Sequence, residues 1–161
     1  MNLKYIDVNY KTISDELFEQ IYTVEQSSTY EPYEKDILNQ IVMFENNTTF
    51  LCLDGEKVVA HATFNSETKK YDNSIYMSNI VTLPNYQGLG IAKQIILNAC
   101  NFFENNQKDI ISLQVDNENI IAYNFYKKLG FVNVEELSDK EESFMIIQKQ
   151  ILKQNIVKSL K

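Results

Sequence analysis

The chain has 161 residues, 44% of them apolar and 23% charged, which is the size and composition of one globular domain and excludes a disordered segment. Its formal net charge is −7, and an acidic surface repels nucleic-acid phosphates and anionic lipid, so neither is expected as a partner. All fifteen basic residues are lysines, so no guanidinium clamp holds an anion here, and one histidine with two scattered cysteines, Cys52 and Cys100, gives no Cys/His metal motif.

In chain order, residues 2–9 read as a strand, with Leu3, Tyr5 and Val8 apolar among polar neighbours. Residues 14–26 read as a helix capped by Ser14 or Thr12, with Leu17, Phe18, Ile21 and Val24 at helical spacing. A polar, aromatic stretch at 26–34, broken by Pro32, leads to a helix over about 35–45 with Ile37, Ile41, Val42 and Phe44 as its apolar residues. Strands at 49–53 and 58–64 flank Asp54, Gly55 and Glu56, a hairpin turn signal. After a polar connection at 65–73, a fourth strand runs over 74–83 and stops at Pro84. The clearest helix spans 89–104, where Ala92, Ile95, Ile96, Ala99, Cys100 and Phe103 form one stripe. Ile111, Leu113 and Val115 alternate in a fifth strand, and a helix over 119–129 ends at Gly130 as a left-handed cap. Strands at about 131–137 and 143–151 follow, and 152–161 read as a polar tail or strand extension. The order βααβββαβαββ implies a single α+β domain, a mixed sheet of about seven strands with helices on both faces. No run reaches 18 apolar residues and the first eleven residues lack an apolar secretion core, so a cytoplasmic location with buried, reduced thiols is expected.

Two segments carry chemistry. The first, Gln87, Gly88, Leu89, Gly90, Ile91 and Ala92, joins the fourth strand to the clearest helix. The first N–H groups of a helix lack internal partners, and glycines let backbone approach an anion closely. Such a turn suits a diphosphate held without arginine. A dinucleotide fingerprint needs glycine where Lys93 stands, and the P-loop spacing is absent. On the glycines alone, an ordinary tight turn before a core helix stays open. The second segment runs from Asn119 to Phe131, with Asn119, Ala122 and Tyr126 on one helix face and Phe125 assigned to the core.

Gln87-x-x-Gly90-x-Ala92 resembles the pyrophosphate-binding signature of the GNAT acetyltransferase superfamily, and it stands in that family's context after Thr82, Leu83, Pro84 and an aromatic Tyr86. Asn119-x-x-Ala122-x-x-Phe125-Tyr126-x-x-x-Gly130-Phe131 resembles the family's second signature, and the element order matches its fold over essentially the whole chain. The resemblance implies a GNAT fold and an acetyl-CoA-dependent N-acetyltransferase acting directly on an amine of a small molecule or peptide. It implies that Gly88, Leu89, Gly90, Ile91, Ala92 and Lys93, following Gln87, bind the CoA pyrophosphate through backbone N–H groups. Ile80, Val81 and Thr82 would hydrogen-bond the pantetheine arm, the Ile80 N–H would face the thioester oxygen, and Asn119 and Tyr126 would flank the arm. Tyr126 would protonate the leaving thiolate as general acid.

For the general base, the position where some family members carry Glu is Tyr76 here, and Glu25, Glu31, Glu34 and His61 are the alternatives, beside deprotonation through water. Tyr30, Glu31 and Tyr33, in the stretch between the first two helices, are expected to wall the acceptor site. No metal is expected, and the oligomer is a monomer or homodimer. A non-catalytic CoA-binding module acting as a sensor or interaction domain is the alternative from another class. A longer acyl donor or an oxygen acceptor also stays open.

Overall fold

A computed structural model describes residues 1–160, apart from the side chain of Asn79. Seven strands form one sheet in the order β1-β2-β3-β4-β5-β7-β6. They are β1 (Leu3–Val8), β2 (Asn47–Asp54), β3 (Lys57–Asn65), β4 (Ser74–Thr82), β5 (Ile110–Asp116), β6 (Val132–Asn133) and β7 (Glu142–Gln148). Five α-helices accompany them: α1 (Asp15–Gln26), α2 (Lys35–Met43), α3 (Ile91–Phe102), α4 (Ile120–Leu129) and α5 (Lys149–Leu160). The expected order is therefore present, with one helix added at its end.

Every strand pair is antiparallel except β4 with β5. That parallel pair is short. Ser74–Met77 pair with Ile110–Leu113, and beyond Met77 and Leu113 the two strands part. The register of β4 against β3 also shifts between the pairs Phe64–Met77 and Ala62–Ile80, leaving one extra residue on β4 at 78–79. A bulge of this kind bends its strand and sharpens the local twist. The sheet is thus split in its middle, on the side where β4 runs into α3.

Two cores seal the faces. α1 and α2 lay Phe18, Ile21, Val24, Leu38 and Val42 on Leu51, Leu53, Val58 and Val81. On the other face α3, α4 and α5 bury Ile95, Ile96, Leu129, Leu152 and Ile156 against Cys52, Phe64, Ile75 and Met77. Cys52 and Cys100 are both buried and unpaired, and burial pushes the Cys100 thiol up to about 12. Among the described residues, no helix is long and apolar enough to cross a membrane.

One alternative is settled and two expectations are corrected. Ser14, not Thr12, caps α1: its hydroxyl accepts from Leu17 N, while Thr12 Oγ1 accepts from Asn9 N in the preceding turn. α2 buries Leu38 and Val42 and leaves Ile37 and Phe44 exposed, so its apolar face is turned from the one read in the sequence. The segment read from 152 as a polar tail or strand extension is α5, and β7 stops at Gln148. α5 is anchored by polar groups as much as by apolar ones. Lys149, 3% exposed, donates from Nζ to the carbonyls of Phe103 at 2.7 Å, Lys108 at 2.8 Å and Asn106 at 3.3 Å, where α3 ends. A cation at a helix C-terminus satisfies carbonyls that have no partner inside the helix. Asn155 does the same for α4, donating from Nδ2 to Leu129 O at 2.8 Å.

Candidate active site

The split between β4 and β5 opens into a cleft of about 770 Å³. Its walls come from the α1–α2 loop (Ser27 to Tyr30), the end of β4, the β4–α3 turn and the first two turns of α4.

The turn is rigidly placed. A single 3-10 turn, Pro84–Tyr86, follows β4, and Leu83 N donates to Val59 O at 2.9 Å. The Tyr86 hydroxyl donates to Asp54 Oδ2 at 2.8 Å, tying the turn to the β2–β3 hairpin. Asp54 Oδ1 also accepts from Asn2 N, and these two bonds hold its carboxyl below the usual carboxylate range. Gln87 Nε2 donates to Thr82 O at 3.1 Å, closing the turn on itself. Gly88 and Gly90 both have φ +79°, a left-handed backbone that L side chains rarely adopt, and Gly90 is the N-cap of α3. The first α3 bond runs from Gln94 N to Gly90 O. Consequently the N–H groups of residues 88–93 make no hydrogen bond among the described residues. Donors so placed, in and just before the first turn of a helix, could hold an anion.

Across the cleft, Asn119 caps α4, its Oδ1 accepting from Ala122 N at 3.3 Å. One amide oxygen is thereby engaged, while its NH₂ stays available. Gly130, φ +105°, ends the helix in a left-handed cap, with Phe131 N donating to Tyr126 O. Tyr126 is 5% exposed and packs edge-on against Phe125 and Phe131, yet it lines the cleft floor. Its hydroxyl makes no hydrogen bond among the described residues. Burial, with a smaller contribution from the neighbouring Tyr76, pushes its pKa upward, so the phenol is a protonated acid at neutral pH.

Of the residues singled out in the sequence, Ile80, Val81, Thr82, Gln87, Gly88, Gly90, Ile91, Ala92, Lys93, Asn119, Tyr126 and Tyr30 line this one cleft. Leu89 points outward, half exposed, and Glu31 and Tyr33 lie outside the lining. Phe125, assigned to the core, is only partly buried and faces the cleft, while Tyr126 beside it is the more buried of the two. Tyr30 reaches over the opening. Its hydroxyl lies 3.0 Å from Asp116 Oδ1 and 3.1 Å from Glu118 Oε2, so it bonds to the β5–α4 loop. Neither acid was singled out, because an aromatic and a carboxylate 86 positions apart give no spacing signal.

The base candidates separate into two groups. Glu31 and Glu34 are exposed. Glu25 and His61 are buried together, 0% and 1% exposed, with His61 Nε2 3.1 Å from Glu25 Oε1 but not aligned for a hydrogen bond. Glu25 Oε2 accepts from Tyr33 N at 2.9 Å, which anchors the α1–α2 loop. Among the described residues, no group of three or more His, Cys, Asp or Glu side chains could hold a metal.

The profile of the acetyltransferase (GNAT) family matches residues 15–131. This chain belongs to the GNAT family. Many solved structures share its fold, three of them as follows. The paiA N-acetyltransferase of Thermoplasma acidophilum, in complex with coenzyme A, is 17% identical with TM-score 0.73, over 92% of this chain and 99% of that one. Arabidopsis thaliana NAA60 in complex with acetyl-CoA is 15% identical, with TM-score 0.71 over 91% and 98% of the two chains. The ribosomal-protein-S18-alanine N-acetyltransferase of Escherichia coli is 16% identical, with TM-score 0.70 over 90% and 94%. No curated protein matches the sequence. The GNAT profile spans both signature segments and β2 to β5, including the pair at which the sheet splits.

Proposed function

We propose that this GNAT protein, as a single domain, binds acetyl-CoA in the cleft and transfers the acetyl group directly to an amine of a small molecule or peptide. The observation that carries the reading is the row of N–H groups at 88–93 that make no hydrogen bond among the described residues, in a turn that lines the cleft where β4 and β5 part. Of the described residues that line the cleft only Lys93 is a cation, so backbone donors supply most of the attraction for a diphosphate. The coenzyme complexes of the Thermoplasma and Arabidopsis relatives support the choice of donor.

In this reading the pantetheine arm lies along β4 residues 80–82, whose outer edge has no strand partner, and passes the small side chain of Ala122. The Asn119 NH₂ faces the arm, and the Ile80 N–H receives the oxyanion. The acceptor, an alkyl ammonium with pKa about 10.4, loses a proton before it attacks. With Glu31 and Glu34 exposed and Glu25 and His61 sealed under the α1–α2 loop, water in the open cleft takes that proton. The C–N bond forms, the C–S bond breaks, and Tyr126 protonates the thiolate. Tyr30 forms the acceptor-side wall of the cleft, and Tyr33 sets the loop behind it. A cytoplasmic monomer or homodimer goes with this reading.

The test compares Gly88→Asp with Gly88→Asn. No atom lies within 4 Å of a Cβ at Gly88, and both side chains meet the same φ +79° backbone. They differ only in a charge beside the cradle. Gly88→Asn should retain acetyl-CoA binding within about tenfold, and Gly88→Asp should lose at least a further tenfold, about 1.4 kcal/mol. Equal calorimetric affinities in the two variants would remove the pyrophosphate from this turn. Binding without thiol release on a broad amine panel would instead identify a non-catalytic CoA-binding module.

A further inference from the structure

The β4–α3 turn is fastened at its two ends and bare between them. The bonds that tie it down come first: Leu83 N donates to Val59 O, the Tyr86 hydroxyl to Asp54, and Gln87 Nε2 to Thr82 O. At the far end Ile91, 2% exposed, roots the start of α3 in the core. Between these anchors the backbone of Gly88, Leu89 and Gly90 donates no hydrogen bond among the described residues, and Leu89 is half exposed. Its shape there must come from packing. At Gly88 nothing stands within 4 Å of where a Cβ would be. At Gly90 one described atom beyond its chain neighbours does, Cδ2 of Leu160 at 3.0 Å.

Leu160 ends α5, and α5 is fixed along its length. Lys149 Nζ donates to Phe103 O at its start, Leu152 and Ile156 are fully buried, and Asn155 Nδ2 donates to Leu129 O. In the last turn the Ser159 hydroxyl donates to Ile156 O at 2.8 Å. Ile156 and Leu160, four residues apart, share a face, so a rooted helix aims Leu160 at the turn. The same helix meets the glycine of the second signature segment, since Asn155 Nδ2 lies 2.8 Å from where a Cβ at Gly130 would be. α5 thus touches Gly90 and Gly130 alike, and it stands outside the residues that the family profile matches. Leu160 itself is 41% exposed, so little of the stability of the fold rides on it.

We propose that Leu160 is a positioning residue for acetyl-CoA, holding the β4–α3 turn in the shape that aims the N–H groups at 88–93 toward the pyrophosphate. This rests on the reading of the cleft given above. A backbone that is ordered only as the ligand arrives pays conformational entropy out of the affinity, and one held beforehand does not. Glycines have the most freedom to lose, and two of the three residues in the bare stretch are glycines. Leu160 is not part of the cleft lining, so it acts through Gly90. Its effect therefore falls on donor binding and leaves the step at Tyr126 alone.

The experiment measures acetyl-CoA affinity by calorimetry for the full wild-type chain, Leu160→Ala, Leu160→Met and Val157→Ala, with urea unfolding of each. Leu160→Ala should unfold near the wild-type midpoint and bind at least about fivefold more weakly. With any amine that the wild type acetylates, its KM for acetyl-CoA should rise in step while kcat stays within about twofold. Leu160→Met keeps volume and reach and should bind within about twofold of the wild type. Val157 is the control: it is equally exposed, at 41%, and is not within 4 Å of the Cβ position at Gly90, so Val157→Ala should keep wild-type affinity. Unchanged affinity in Leu160→Ala, an equal loss in Val157→Ala, or a fall in kcat in place of a rise in KM overturns this proposal alone. Absence of acetyl-CoA binding to the wild-type chain overturns the reading of the cleft and this proposal together.

Discussion

Replacing Tyr126 with Phe deletes one oxygen and separates chemistry from packing. The ring contacts with Phe125 and Phe131, at 5.5 and 5.7 Å, survive the change. Because the hydroxyl makes no hydrogen bond among the described residues, its removal breaks none of them. Tyr126 lines the cleft, so loss of its hydroxyl should change stability by no more than about 1 kcal/mol. The rate should change far more. Loss of a positioned general acid costs about 10²–10⁴-fold, or about 3–5 kcal/mol of barrier. The assay is single-turnover acetyl transfer with enzyme in excess over acetyl-CoA, which keeps product release out of the measurement, paired with urea unfolding. Wild-type single-turnover rates would refute the role of Tyr126. A rate loss accompanied by more than about 1 kcal/mol of destabilisation would assign the effect to packing instead.

The raised Tyr126 pKa makes a pH prediction: thiol release, corrected for enzyme-free hydrolysis, should show no loss of activity on the alkaline side up to about pH 10, the ordinary phenol value. The same shift bears on stability with a fixed sign. A phenol harder to ionise folded than unfolded contributes stability fully below about pH 10, and that contribution is lost as pH rises beyond it. Tyr30→Phe should raise KM for the acceptor and leave acetyl-CoA affinity within a few-fold, since it unties the α1–α2 loop from Asp116 and Glu118 without touching the cradle. Lys149→Met should cost about 2–4 kcal/mol in urea unfolding, because the carbonyls of Phe103 at the end of α3 and of Asn106 and Lys108 in the α3–β5 connection lose a charged donor.

Both signature segments were legible in the sequence for a backbone reason. Gly88, Gly90 and Gly130 all sit at positive φ, and few other residues serve there. At Gly130 a Cβ would also meet Asn155 Nδ2 at 2.8 Å and Ile147 Cδ1 at 3.1 Å. The strands were legible from alternation, and α3 from an apolar stripe broad enough to stand out. α5 was hidden because its buried apolar contacts reduce to Leu152 and Ile156, while its other anchors, Lys149 and Asn155, read as solvent-facing. No turn residue separates it from β7. The face of α2 was misread because Ile37 and Phe44 are apolar yet exposed, and hydrophobicity does not by itself dictate burial. The pairing of Glu25 with His61, and of Tyr30 with Asp116 and Glu118, belongs to tertiary structure alone, joining elements that local pattern treats as independent.

The path of α5 has a practical consequence for anyone handling this protein. The helix starts on the carboxyl end of α3 and finishes near its amino end, where Leu160 Cδ2 would lie 3.0 Å from a Cβ at Gly90. A purification handle or fluorescent partner fused behind α5 would emerge beside the β4–α3 turn and lean on it. The opposite terminus leads into the edge strand β1 and reaches the turn only through Asp54, which accepts from both Asn2 N and the Tyr86 hydroxyl, so a fusion there should keep Asn2 in place.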